Sequence, residues 1–358
     1  MLSNRFFNAT GRVKRTVVFL CFAILLCLGG GFPIWLDRMQ QCPSGISTDS
    51  QAHDIVTANI DYEHLWDYQT TFIRSGALDL IDDLVVFANG DCHQVVALNL
   101  ATGKTAWTST QIESARITAD VIHGQIYVEL GNDVLVALDK NGNQIWKNTS
   151  LQGQRGGIIP YILSNGSLVA FAQVQFVSVN PSTGEFGDVI PVPDHSFVIG
   201  DEYFWGVRNG QLIASDFQFA NIVWHSEYQG LTQCCLKQVV VTSEHIVLLF
   251  AGKVIVLDRE TGALNWETSE DQIVTNFVLI DGQVVFLNID ATLFFMAESS
   301  GETLASVKFK PPAPNARDIV NGIGRSMLVA ADDIIVIYFG DTDMLSAYHF
   351  HIEDFSSG

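Results

Sequence analysis

A chain of 358 residues with 48% hydrophobic and 16% charged residues has material for a sizeable apolar core, which excludes wholesale disorder. Its 39 acidic and 19 basic residues leave a formal charge of −20, and an acidic face repels phosphate backbones, so nucleic acid is excluded as an expected partner. With 29 Gly and 23 Phe but only 5 Met, the composition suits many short strands joined by tight turns better than a helical bundle.

In chain order, four of the basic residues come first: Arg5, Arg12, Lys14 and Arg15 precede any acid, the first being Asp37. Val17–Trp35 (VVFLCFAILLCLGGGFPIW) then carries no charge. As a helix it extends roughly 28 Å, close to the ~30 Å hydrocarbon core of a bilayer. Gly29, Gly30, Gly31 and Pro33 weaken its far end, Trp35 suits the interfacial belt, and the preceding basic residues favour a cytoplasmic N-terminus. A cleavable signal peptide is the competing reading. No small-x-small cleavage site stands out after the run, and Cys21, Cys27 and Cys42 lack the small residues that precede a lipidated cysteine. The expected organisation is a basic cytoplasmic segment (1–16), an uncleaved transmembrane signal-anchor (17–35), a polar tether (36–58) and one extracytoplasmic domain (59–358), periplasmic or on the cell surface.

That domain is built from an internal repeat. Val95–Trp107 (VVALNLATGKTAW), Leu135–Trp146 (LVALDKNGNQIW) and Val254–Trp266 (VIVLDRETGALNW) each read as an apolar strand ending in Asn or Asp, a turn with Gly, and a second strand bearing Trp. Weaker copies run over Phe176–Val189, Leu212–Trp224, Leu293–Ser306 and, last, Met344–Asp354. The strand-ending position falls at Asn99, Asp139, Asn180, Asp216, Asp258, Ala297 and Tyr348, at intervals of 40, 41, 36, 42, 39 and 51 residues. A period near forty corresponds to one four-stranded propeller blade.

Seven further strands precede these, among them Leu84–Gly90, His245–Gly252 and Ile334–Gly340, so seven blades are expected. Fourth strands carry Trp107, Trp146, Trp224 and Trp266, with Asp188 and Ala305 at the equivalent weak positions. The last repeat runs out of chain before its own fourth strand. Glu63–Thr70 supplies it, placing Trp66 41 residues before Trp107, and the ring closes without leaving a sheet edge.

Several groupings bear on chemistry. Cys234 and Cys235 are adjacent, and in an exported domain they read as a structural cystine, vicinal or paired with Cys92 or Cys42. Asp139–Asn143 resembles the start of a calcium loop, but its Gly142 falls at the fourth position and no Glu follows at the twelfth, so it reads as a blade turn. His349 and His351 share a strand face without a third ligand, and no metal site is expected there. Asp82–Asp83 and Asp332–Asp333 fall in matching turns, where Asp caps the backbone. Asn148 and Asn165 head glycosylation sequons. No Ser–His–Asp grouping or phosphate-binding Gly loop is legible in the spacing.

The stretches 97–107 (ALNLATGKTAW) and 256–266 (VLDRETGALNW) resemble the repeat of the pyrroloquinoline-quinone (PQQ) propeller family, and the resemblance covers roughly residues 60–355. It implies a structural role for Gly103, Gly142, Gly184, Gly262 and Gly301 in tight turns, and for Trp66, Trp107, Trp146, Trp224 and Trp266 between blades. It implies a bacterial source and one of two functions. The first is a non-catalytic scaffold that binds an envelope protein or small ligand without a cofactor, like the scaffold lipoprotein of the barrel-assembly machinery. The alternative is a PQQ- and calcium-dependent quinoprotein oxidoreductase of alcohols or sugars. In such enzymes a vicinal disulfide lies against the cofactor, which makes Cys234 and Cys235 the cofactor-binding candidates. The chain departs from those enzymes in blade number, length and calcium ligands, so the scaffold is the expectation. Gln152–Pro160, Pro191–Asp201, Glu227–Lys237 and Lys308–Arg325 deviate most from the repeat and are the expected contact surface.

Overall fold

The structure, a computed structural model, describes residues 54–71, 73, 77–89, 94–109, 114–120, 122–130, 134–150, 158–163, 166–172, 175–190, 197–200, 203–216, 221–232, 235–268, 273, 275–310, 326–340 and 342–352. Among these no helix is long and apolar enough to cross a membrane. The apolar run 17–35 and most of the tether lie outside the described residues.

The described chain opens with β1 (Ile55–Ala58) and β2 (Tyr62–Gln69). Blade 1 follows as β3 (Leu78–Ile81), β4 (Leu84–Asn89), β5 (Gln94–Asn99) and β6 (Thr105–Ser109). Blade 2 is β7 (Ser114–Asp120), β8 (Gln125–Leu130), β9 (Val134–Asp139) and β10 (Gln144–Asn148). Blade 3 is β11 (Ile158–Ile162), β12 (Leu168–Ala172), β13 (Gln175–Val179) and β14 (Phe186–Ile190). Blade 4 is β15 (Phe197–Gly200), β16 (Tyr203–Arg208), β17 (Gln211–Ser215) and β18 (Ile222–His225). Blade 5 is β19 (Leu236–Val241), β20 (His245–Phe250), β21 (Lys253–Asp258) and β22 (Leu264–Glu267). Blade 6 has β23 (Val278–Ile280), β24 (Gln283–Leu287), β25 (Thr292–Ala297) and β26 (Thr303–Phe309), and blade 7 has β27 (Met327–Ala331), β28 (Ile334–Phe339) and β29 (Met344–Phe350).

Each blade is an antiparallel meander, and β2 pairs with β29 to complete blade 7, as the missing fourth strand requires. The first strands of successive blades touch, β3 on β7 and β23 on β27, and β27 on β3 closes the ring. Second strands such as β4 and β24 are buried along their whole length because a neighbouring blade covers each face, which explains their continuous apolar sequences. The described residues form an all-β, seven-bladed propeller.

Indole rings staple the blades. Trp66 on β2 donates its Nε1–H to the Leu100 carbonyl of blade 1 (2.7 Å), and its ring lies on Gly103. Gly103 has φ +65°, and a Cβ there would stand 2.6 Å from the ring, so both backbone and neighbour demand glycine. Trp107, Trp146, Trp224 and Trp266 repeat the staple on Gly142, Gly184, Gly262 and Gly301, donating to the carbonyls of Lys140, Pro181, Arg259 and Glu298. Where the turn opens on an acid or amide, that side chain accepts from the turn's own donors. Asn99 Oδ1 takes the Thr102 N–H and hydroxyl, and Asp258 Oδ1 takes those of Thr261.

Two seams lack the indole. Between blades 3 and 4, Phe176 meets Phe204 at 4.8 Å within a small cluster around Leu163 and Val169. Between blades 6 and 7 the work falls to aromatic packing of Phe309 on Phe339 and Tyr348, and to a strap that the sequence reading does not contain. The end of the expected tether is β1, which pairs with β26 as a fifth strand of blade 6. Asn59 then exchanges hydrogen bonds with Ser306, Ile60 buries itself among Phe309, Phe350 and their neighbours, and the chain crosses to β2 in blade 7.

One repeat position moves by a residue. Ile334 pairs with His349 as Leu84 pairs with Asn99, so His349, not Tyr348, occupies the repeat position of Asn99. The next backbone N–H donates to Asp333 O in blade 7 (3.0 Å) and to Asp83 O in blade 1 (2.7 Å), and the side chains follow: His349 contacts Asp333 as Asn99 contacts Asp83. Without a Gly or Trp to set its phase, the last repeat is misread by one position.

Candidate functional site

Blade 5 carries an open cleft of about 590 Å³, lined by Trp224 from blade 4, the β19–β20 turn (Ser243, Glu244, His245) and the β21–β22 turn (Asp258, Arg259, Glu260). Both turns are fastened by backbone bonds, with the Arg259 N–H donating to Glu244 O (2.9 Å) and the Gly262 N–H to Asp258 O (2.8 Å). Trp224 is held over the second turn by its staple and edge-on to Trp205 at 5.6 Å. The segment after β18 is pinned too: Ser226 Oγ donates to Tyr228 O, and the Tyr228 N–H donates to Gly262 O.

A polar cluster at the cleft wall joins blades 5 and 6. Glu298 Oε1 accepts from Thr242 Oγ1 (2.6 Å) and His245 Nδ1 (2.9 Å). Asn265 Nδ2 donates to Ser299 O and faces His245 Nε2 at 3.2 Å, so the network assigns the proton to Nδ1 and makes Nε2 an acceptor. His245 and Glu298 side chains are only 12% and 13% exposed. Both imidazole nitrogens are engaged within the cluster. The Thr261 N–H and hydroxyl, donating to Asp258, hold its carboxyl below the ordinary range. Arg259 Nη1 donates to Thr242 O, whereas Glu244 and Glu260 are exposed at the cleft mouth. The arrangement suits contact through charge and an aromatic wall.

The groupings picked out in sequence fall elsewhere. Asp139 Oδ1 accepts from the N–H groups of Asn141 and Asn143 (2.8 Å each), and its Oδ2 accepts from Asn143 Nδ2 (2.9 Å); its carboxylate serves its own turn. Asp82 and Asp332 both have φ near +50°, as the matching turns require. Among the described residues no group of three His, Cys, Asp or Glu side chains is arranged to hold a metal ion, and His349 serves the last repeat turn. Asn148 is engaged with Gly184 and Ser150; Asn165 lies outside the described residues. Cys235 is exposed with φ +88°, and Cys42, Cys92 and Cys234 lie outside the described residues, as do 151–157, 191–196 and 311–325 of the expected contact segments. Sequence reading missed Thr242, His245, Asn265 and Glu298. The available signal was His245 at the head of an otherwise apolar strand, but its partners come from two blades.

A ring of seven blades, with five of its seams stapled by indoles over turn glycines, defines a PQQ-like repeat propeller. The family model described as outer membrane protein assembly factor BamB matches residues 58–196 and 131–345, and the chain belongs to that family. Among solved structures, BamB from Moraxella catarrhalis is 17% identical, covers 78% of this chain and 84% of its own, and superposes with a TM-score of 0.49. The Cps50 (Swd1) β-propeller domain of Myceliophteria thermophila is 9% identical, covers 81% of this chain and 99% of its own, and reaches a TM-score of 0.59, a likeness of fold alone. No curated protein matches the chain.

Proposed function

We propose that the chain is a membrane-anchored, non-catalytic scaffold of the bacterial cell envelope, whose propeller lies outside the cytoplasm and binds another envelope protein. Membership of the assembly-factor family supports the class of role. The uncharged run Val17–Trp35 behind four basic residues supports the anchor and its orientation. The observation that carries the reading is the blade 5 cleft, where the exposed carboxylates of Glu244 and Glu260 stand beside the indole wall of Trp224 as a surface for contact.

Membrane fractions and intact cells test it. Alkaline extraction leaves the chain in the membrane, and protease added outside the cytoplasmic membrane digests the propeller. Release by alkali, or protection until the cytoplasmic membrane is broken, overturns anchor and orientation. Dye-linked oxidation of alcohols or sugars by the purified chain supplied with PQQ and calcium overturns the non-catalytic assignment.

A further inference from the structure

The outer strands of the blades are sheet edges, and the molecule shields them unequally. An exposed apolar edge invites pairing with another strand, and charged side chains are the usual protection. β10 carries Lys147, β14 carries Asp188, β22 carries Glu267, and β26 is covered by β1. β6 presents hydroxyls instead (Thr105, Thr108, Ser109). β18 has neither charge nor cover: among the described residues its outer edge is unpaired, and Ile222 and Val223 are 45% and 48% exposed. Leu264, on the outer strand of blade 5, is another exposed apolar residue.

The same chain shows what such an edge accepts. β1 lies antiparallel on β26, with Ile55 opposite Phe309 and Ala58 opposite Val307, and a charge pair between Asp54 and Lys310 (3.4 Å) sits at its end. A strand added at β18 adjoins the cleft that Trp224 walls. There Glu244, Asp258 and Glu260 outnumber one arginine, whose guanidinium is turned to the Thr242 carbonyl. The uncompensated charge is negative.

Resting on the scaffold reading, the geometry points to β18 and the adjoining cleft as the docking site for an extended segment of a partner protein. That segment pairs antiparallel with Ile222–His225, covers Ile222 and Val223 with apolar side chains, and places a Lys or Arg between Glu244 and Glu260. Main-chain pairing supplies the hold and the cleft selects the cation.

Two synthetic peptides test this with the full chain in detergent, read by fluorescence anisotropy. One alternates valine and threonine around a central lysine, and its twin has glutamate there. The lysine peptide is expected to bind at least about tenfold more tightly than the glutamate one, with the difference shrinking in salt. Backbone N-methylation of the lysine peptide, or Val223→Lys in the protein, removes binding. Glu260→Lys, on an exposed turn that leaves the fold intact, balances the charge of the cleft and removes the preference between peptides. Equal binding of both peptides, or binding indifferent to Val223→Lys and Glu260→Lys, overturns the proposal. So does a dimer of the chain that Val223→Lys dissolves, because the edge is then a self-interface. Photo-crosslinking in cells from positions 222 and 147 separates the failures. A partner captured from 147 alone overturns this edge and leaves the scaffold, and none captured from either overturns both.

Discussion

Trp66 and Trp205 are both buried indoles, but their N–H groups have different fates. Trp66 donates to Leu100 O, whereas Trp205 Nε1 has no acceptor among the described residues. A buried hydrogen bond contributes about 1 kcal/mol net, and a buried unpaired donor adds a desolvation cost. Urea unfolding of the Phe variants is therefore expected to separate them: Trp66→Phe loses about 1–2 kcal/mol, and Trp205→Phe stays within about 0.5 kcal/mol of the parent. Trp66→Ala, which also empties the space over Gly103, costs about 3–5 kcal/mol. A loss under ~1 kcal/mol for Trp66→Ala contradicts the staple.

His64, beside Trp66, adds a pH dependence. Its hydrogen bond to Asp67 (3.0 Å), opposed by partial burial, holds its pKa above 6.5 in the fold. The fold thus binds this proton more tightly than the unfolded chain does. The stabilisation is complete below the ordinary histidine pKa and lost as pH rises through the raised one. Partial exposure keeps it small. The melting-temperature advantage of the parent over His64→Gln is expected to be larger at about pH 6 than at about pH 8; an advantage that grows with pH refutes the assignment.

At the scale of elements, β1 does for the seam of blades 6 and 7 what an indole does elsewhere. Ala305 stands where five of the other six blades have Trp, and the chain instead runs from β1 through buried Ile60 to β2. Replacing Asp54–Ala58 by a Gly-Ser stretch is expected to lower the melting temperature by a few degrees, from the loss of about 1–2 kcal/mol, and to speed amide exchange in β26 with little effect in blade 2. Uniform acceleration through all blades, or none at all, counts against a local strap. Neither β1 nor the cleft cluster was legible in the sequence, for one physical reason. Ile55–Ala58 has no repeat signature, and its partner lies some 250 residues away. The cluster, likewise, is assembled from turns of two blades. The staples were legible because each needs a glycine and an indole at a set spacing, and the last repeat was misphased where both are missing.

For the whole molecule, strands from opposite ends of the propeller close one ring. Closure keeps the blades in fixed succession, so that Trp224 of blade 4 stands against the turns of blade 5 and the docking edge adjoins the acidic cleft. The repeat period implied this arrangement, since a final repeat short of one strand and an orphan strand bearing Trp66 fit together in only one way. The sequence pointed to the segments that depart from the repeat and not to the β18 edge, because exposure and charge at the rim depend on how neighbouring blades stack.

Amide hydrogen exchange along β29 measures closure directly. Antiparallel strands bond alternate residues to each neighbour, and β29 lies between β28 and β2. The amides of Leu345–His349 are therefore all expected to be slow, those facing β2 as slow as those facing β28. Fast exchange at every second one of these amides would show β29 to be an open edge and would contradict the closed ring.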